Sequence, residues 1–196
     1  MSLDYRVIEH KERLRNRVFA IVTDVVEMPE GTAAERDYMV HVGAVGVVAL
    51  DAQERVALIK QYRHAVGKHL WELPAGLIDV DGEPLVHAAA RELAEEADLH
   101  AARWDLLAEV HTSPGCSNEK IRLFVARGLS PVPDDDRHQR THEEAELEVH
   151  WFALDEAVSM ALSGEITNAA CLVGVLGAAH ARDRGWSTLR PADSAT

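Results

Sequence analysis

Gly76-Leu77-Ile78-Asp79-Val80-Asp81-Gly82-Glu83, then seven residues, then Arg91-Glu92-Leu93-Ala94-Glu95-Glu96-Ala97-Asp98-Leu99 is the stretch that decides the reading of this chain. Its second half predicts a helix over 84–98, with proline suited to the first turn. At about 100° per residue, Val86, Ala89, Ala90, Leu93 and Ala97 form one apolar stripe, and Glu92, Glu95 and Glu96 project from the adjoining arc. Glu92 and Glu96, at i and i+4, stack on one face, with Glu95 three residues from Glu92. Adjacent carboxylates repel, a cost that a bare structural helix gains nothing from and that a divalent cation removes. Hard oxygen donors converging on one helix face suit magnesium, and Arg91 can pair with a neighbouring carboxylate and fix its rotamer.

The flanks predict an α+β chain. Residues 5–28 alternate charged and β-branched side chains, Pro29-Glu30-Gly31 supplies a turn, and Tyr38 to Val42 resumes the strand pattern. Such a segment is too short for its own core and needs a partner surface. Ala44 to Leu50 and Val56 to Arg63 read as a hairpin of central strands, the first apolar on both faces and therefore covered by helices on both sides. Strands follow at 104–109 and 121–126, a polar loop at 128–143, a strand at 147–154, and helices from about Asp155 and Asn168 with Gly164 and Gly185 as stops. The expected organisation is an N-terminal β segment over 1–43, a catalytic domain over 44–185 and a polar tail over 186–196.

Composition narrows the function. The chain has 196 residues, 47% hydrophobic and 27% charged, and a formal charge of −13. That is enough for a globular core and argues against nucleic acid as a partner. Cys116 and Cys171 stand far apart without metal-ligand spacing, which fits a reducing cytosol. None of the eleven histidines makes a zinc pattern on a helix. The opening residues lack a secretory pattern, and no stretch is long and apolar enough to span a membrane.

From Glu83 to Leu99 the sequence resembles the Nudix box: glutamate, seven residues, then Arg-Glu-apolar-x-Glu-Glu-x-Gly-apolar. It departs twice. Six residues rather than five separate Gly76 from Glu83, and Asp98 stands where the pattern has glycine. Neither change touches a carboxylate, and aspartate tolerates the left-handed conformation of a helix end. Tyr62-Arg63, Trp71-Glu72-Leu73-Pro74-Ala75-Gly76 and Ser113-Pro114-Gly115 extend the resemblance to ADP-ribose pyrophosphatases of the actinobacterial type, over about residues 15–180.

The resemblance implies a Nudix-type α/β/α sandwich with a mixed sheet and an N-terminal β extension swapped within a homodimer. It also implies magnesium-dependent hydrolysis of ADP-ribose to AMP and ribose 5-phosphate, with manganese a possible substitute. Glu92, Glu96 and the carbonyl of Ala75 are then the metal ligands, supported by Glu95 or Glu83, with Arg91 beside them. Glu144 becomes the general base, with Glu143 and Glu146 as rivals in the same acidic segment. Arg63 contacts phosphate or ribose, Arg36 and Phe19 reach the substrate across the dimer, and Glu72 and Glu119 lie near the terminal ribose or the metals. Two other readings remain: a hydrolase of another nucleoside diphosphate derivative, such as GDP-mannose or NADH, and a sensing domain that binds ADP-ribose without cleaving it. The intact carboxylates and the short stretch after residue 185 weigh against the sensor.

Overall fold

The computed structural model describes residues 5–140 and 147–195 and divides into two compact units. The first contains residues up to Gly43 together with 111–120. Its strands β1 (Arg6–Arg15), β2 (Phe19–Glu27) and β3 (Ala33–His41) form an antiparallel meander. The Asn16 side chain accepts the N–H groups of Val18 and Phe19 and so closes the first turn, and Gly31 at φ 84° permits the second. Along β2, Ala20 and Val22 are buried, whereas every residue of β1 is exposed. Met39 exchanges backbone hydrogen bonds with Cys116 and Asn118, which holds the 111–120 segment to β3.

The second unit, 44–110 and 121–196, carries β4 (Ala44–Ala49), β5 (Arg55–Arg63), β6 (Lys68–Glu72), β7 (Ala75–Leu77), α1 (Leu85–Ala97) and β8 (Leu99–His111). It continues with β9 (Lys120–Pro131), β10 (Glu148–Ala153), α2 (Leu154–Ser163), α3 (Ala169–Asp183) and β11 (Arg190–Pro191). One sheet runs β11-β8-β9-β4-β7 and the other β10-β5-β6. Strand β4 is the hub, parallel to β9 and antiparallel to β7. Its Val45, Val47 and Ala49 join a core with Ala88, Ala89 and Leu93 of α1, while Val48 and Leu50 face a second core with α2 and α3. Helices therefore cover both faces, as the unbroken apolar run of β4 requires.

Three expectations need correction. The segments 44–50 and 56–63 are not a paired hairpin: β5 pairs with β10 and β6, and a single bridge, Leu50↔Val56, links it to β4. Asp51 Oδ1 accepts from Gln53 and Arg55 N–H groups and makes the turn, but both edges of β4 are already taken by β7 and β9, so β5 diverges into the other sheet. On α1 the buried face contains Ala88 rather than Ala90, with Val86 half-buried. Strand β9 runs on to Pro131, passing Gly128 at φ 68°, so the polar loop starts later than composition suggested. The helix ends follow their signals: Asn168 caps α3 through the Cys171 N–H, and Gly164 ends α2 in the left-handed region. Among the described residues no helix is long and apolar enough to cross a membrane.

Candidate active site

Helix α1 lies against β7, and the acidic side chains of the helix meet the strand's backbone there. Glu96, 6% exposed, accepts the Ala75 N–H at 2.7 Å. Glu92 lies over Gly76 so closely that a Cβ at that position would fall 1.9 Å from the Glu92 carboxyl carbon. Glycine is needed here for the space it leaves rather than for its backbone freedom. The two carboxylates are thus seated on successive residues of one short strand.

Arg91 neutralises much of this cluster. Its guanidinium binds Glu92 at 2.5 Å and Glu83 at 3.1 Å and comes within 3.6 Å of Glu95. The hydrogen bond to Glu83 leads the effects that raise the arginine pKa, so it stays cationic. Burial pushes the Glu92 carboxyl above the ordinary range, Glu95 and Asp79 add repulsion, and Arg91 opposes both. Asp79 was not singled out from sequence. It lies between Gly76 and Glu83, where the chain carries its extra residue, and that insertion was the available signal.

Beside the box, Arg63 grips the buried Glu72 through two parallel hydrogen bonds of 2.9 and 2.7 Å. This fork, with a further contribution from the charge of Glu96, holds the Arg63 pKa high. Arg63, Glu72, Ala75, Glu92, Glu95 and Glu96 belong to the second unit and share one charged neighbourhood with Arg91.

The remaining expected residues belong to the first unit. Arg36 is exposed and lines a cavity of about 420 Å³ with Tyr38, His111, Pro114 and Cys116. Phe19 is half-buried opposite His41 on β3. Glu119 accepts a hydrogen bond from the Thr112 hydroxyl and lies 3.7 Å from His41 Nδ1. Glu143, Glu144 and Glu146 lie outside the described residues.

Asp98 ends α1 at φ 54°, ψ 38°, the left-handed geometry for which the Nudix pattern keeps glycine. Its carboxylate binds Arg140 at 2.6 Å, and Arg140 Nε donates to the Glu95 carbonyl at 2.9 Å. The arginine thus satisfies a helix-end carbonyl and the aspartate that replaces glycine. Asp98→Ala, which keeps the strained backbone and loses the ion pair, is expected to cost about 1–2 kcal/mol in urea unfolding. Asp98→Gly is expected to stay within about 1 kcal/mol of the parent, because glycine enters this region freely. Equal losses in the two variants would reject the backbone argument.

The donor set fits a hard divalent cation. Glu92 and Glu96 offer carboxylate oxygens at one backbone edge, and among the described residues the cluster is one of carboxylates and arginine. Among the described residues no three acidic, histidine or cysteine side chains close around a point by themselves. Magnesium does not need them, since it typically takes one or two carboxylates and completes its shell with water and substrate phosphate.

Comparison with known proteins places the whole chain in a family. A family model described as the NUDIX domain matches residues 40–171. An ADP-ribose pyrophosphatase of Mycobacterium tuberculosis is 41% identical over 191 residues, covering 97% of this chain and 90% of that protein. An ADP-ribose pyrophosphatase of Bacillus subtilis is 29% identical over 86% of this chain and 89% of its own. A methanol dehydrogenase activator of Bacillus methanolicus is 30% identical over 87% of this chain and 90% of its own. The crystal structure of an ADP compounds hydrolase shares the fold, with a TM-score of 0.79 at 21% identity over 95% of this chain and 99% of that one.

Proposed function

The chain belongs to the Nudix family, and from that premise we propose that it hydrolyses the diphosphate bond of ADP-ribose to AMP and ribose 5-phosphate. The observation that carries the reading is the seating of Glu92 and Glu96 on Gly76 and Ala75, next to the Arg63–Glu72 fork. It has carboxylates to hold divalent cations and an arginine to meet phosphate in one neighbourhood. The similarity to ADP-ribose pyrophosphatases along nearly the whole chain supports the substrate.

In this reading Glu92, Glu96 and the Ala75 carbonyl hold magnesium, with manganese a workable substitute. Bound magnesium neutralises the diphosphate, polarises the attacked phosphorus and acidifies water. Arg91 fixes the Glu92 rotamer and, through Glu83 and Glu95, keeps the acidic cluster from flying apart. Arg63, whose planar guanidinium is oriented by the two hydrogen bonds to Glu72, meets phosphate or ribose oxygen. Glu144 takes the proton of the attacking water; Glu143 and Glu146 are its neighbours in sequence and its rivals for the role. Arg36 and Phe19 serve the substrate of a partner subunit in a homodimer whose N-terminal segments, 1–43, are exchanged, and Glu119 serves the terminal ribose or the metals. Two free cysteines, one exposed and one buried with its thiol pushed up to about 12 by desolvation, suit a cytoplasmic enzyme.

The test is release of the nucleoside monophosphate from a substrate panel, AMP from ADP-ribose and NADH and GMP from GDP-mannose, at saturating magnesium. ADP-ribose is expected to give the highest kcat/KM by at least about tenfold, or about 1.4 kcal/mol of barrier. Preference for another member would move the assignment to that substrate. Tight binding of ADP-ribose without turnover would make the protein a sensor.

A further inference from the structure

Strand β5 carries a polar side chain that the hydrolysis described above leaves idle. Gln61 is 8% exposed, and its Oε1 has no hydrogen-bond partner among the described residues. A buried acceptor left unpaired is destabilising, and an apolar residue of the same shape would remove the penalty. The position therefore works against the fold unless a donor arrives from elsewhere.

The strand register shows where that donor would come from. Ile59 opposes Glu72, Gln61 opposes Leu70 and Arg63 opposes Lys68, so Gln61, Arg63 and Glu72 share one face of the β5–β6 pair. The same face of β5 packs toward α1, since Ala57 lies in the core with Ala88, Ala89 and Leu93. The opposite face is already occupied: Lys60 lies over Trp71, and Tyr62 packs against His69. Gln61 thus sits between a packed core and the Arg63–Glu72 fork, one pleat from the arginine assigned above to phosphate or ribose oxygen.

We propose that Gln61 is a substrate-contacting residue whose side-chain carbonyl accepts a hydrogen bond from a ribose hydroxyl of the nucleoside diphosphate sugar. The proposal rests on the hydrolase reading. Phosphate oxygens at working pH offer no donor, so they satisfy Arg63 and cannot satisfy Oε1. Moving outward from the diphosphate, ribose hydroxyls are the first donors met. The adenine amino group is a full sugar ring further away. The unpaired amide then becomes a selective device: a ligand lacking that hydroxyl leaves a buried acceptor unmatched, which discriminates far more strongly than a missing apolar contact.

Gln61→Met keeps the length and removes the amide. It is expected to raise KM for ADP-ribose about tenfold or more, to leave kcat within about threefold, and to keep or raise Tm. Analogues of ADP-ribose lacking single hydroxyls on either ribose supply the second reading. The parent enzyme should lose about tenfold in kcat/KM on at least one of them, and Gln61→Met should show no such loss. Gln61→Leu repeats the test with a different apolar side chain should methionine disturb the strand. A KM within twofold of the parent in a folded variant, or equal penalties for parent and variant on every analogue, would overturn the assignment. Absence of ADP-ribose turnover by the parent rejects the hydrolase reading instead, so the two failures are told apart.

Discussion

Glu96→Gln is expected to lower kcat by about 10³-fold, about 4 kcal/mol of barrier, while the protein stays folded. The replacement is nearly isosteric, and its amide oxygen can still accept the Ala75 N–H that the carboxylate holds at 2.7 Å. What disappears is the negative charge at a site 6% exposed, where little water is present to stand in for it. Binding of manganese, measured by calorimetry, should weaken by at least about tenfold in parallel. Glu95→Gln makes the comparison informative. Glu95 is more open and meets Arg91 only at 3.6 Å, so its loss should cost about tenfold in kcat. Near-parent turnover by Glu96→Gln at saturating magnesium would remove Glu96 from the metal shell and with it the mechanism.

Local signals in the sequence carried the site further than they carried the sheets. The helix from Pro84 to Asp98 was legible because period, proline and the acidic arc all agree, and α1 occupies Leu85–Ala97. The left-handed end at Asp98 was also legible, since few residue types tolerate it. Its partner Arg140 was not, because a pairing across forty-two residues leaves no trace in a short window. The same limit explains the misread hairpin. Asp51 signals a turn correctly, but which strands flank β4 is settled by β7 and β9, which are remote in sequence. Gly76 was noted as part of a motif, yet its reason, the bulk of Glu92 lying where a methyl would go, exists only in three dimensions.

Gly76→Ala turns that last observation into the second large expected effect. Alanine is compatible with the strand: Gly76 pairs with Val45 in ordinary antiparallel register and does not need a positive φ. Fewer unfolded conformations even favour the variant by up to about 1 kcal/mol. The added Cβ, however, would lie 1.9 Å from the Glu92 carboxyl carbon and 2.2 Å from its Oε1, whereas carbon atoms in contact need about 3.5–4 Å. Glu92 is the end of a flexible side chain, so it swings aside by well over an ångström and the fold survives. The swing carries its carboxylate away from Glu96 and from the 2.5 Å contact with Arg91. Misplacement on that scale is worth about 10² in rate, so kcat should fall by about 10²–10³ with Tm nearly unchanged. The double variant Gly76→Ala, Glu92→Gln decides the cause. If the methyl acts only by displacing Glu92, the double variant is no slower than Glu92→Gln alone. Full additivity of the two losses would mean that Gly76 serves the reaction by another route.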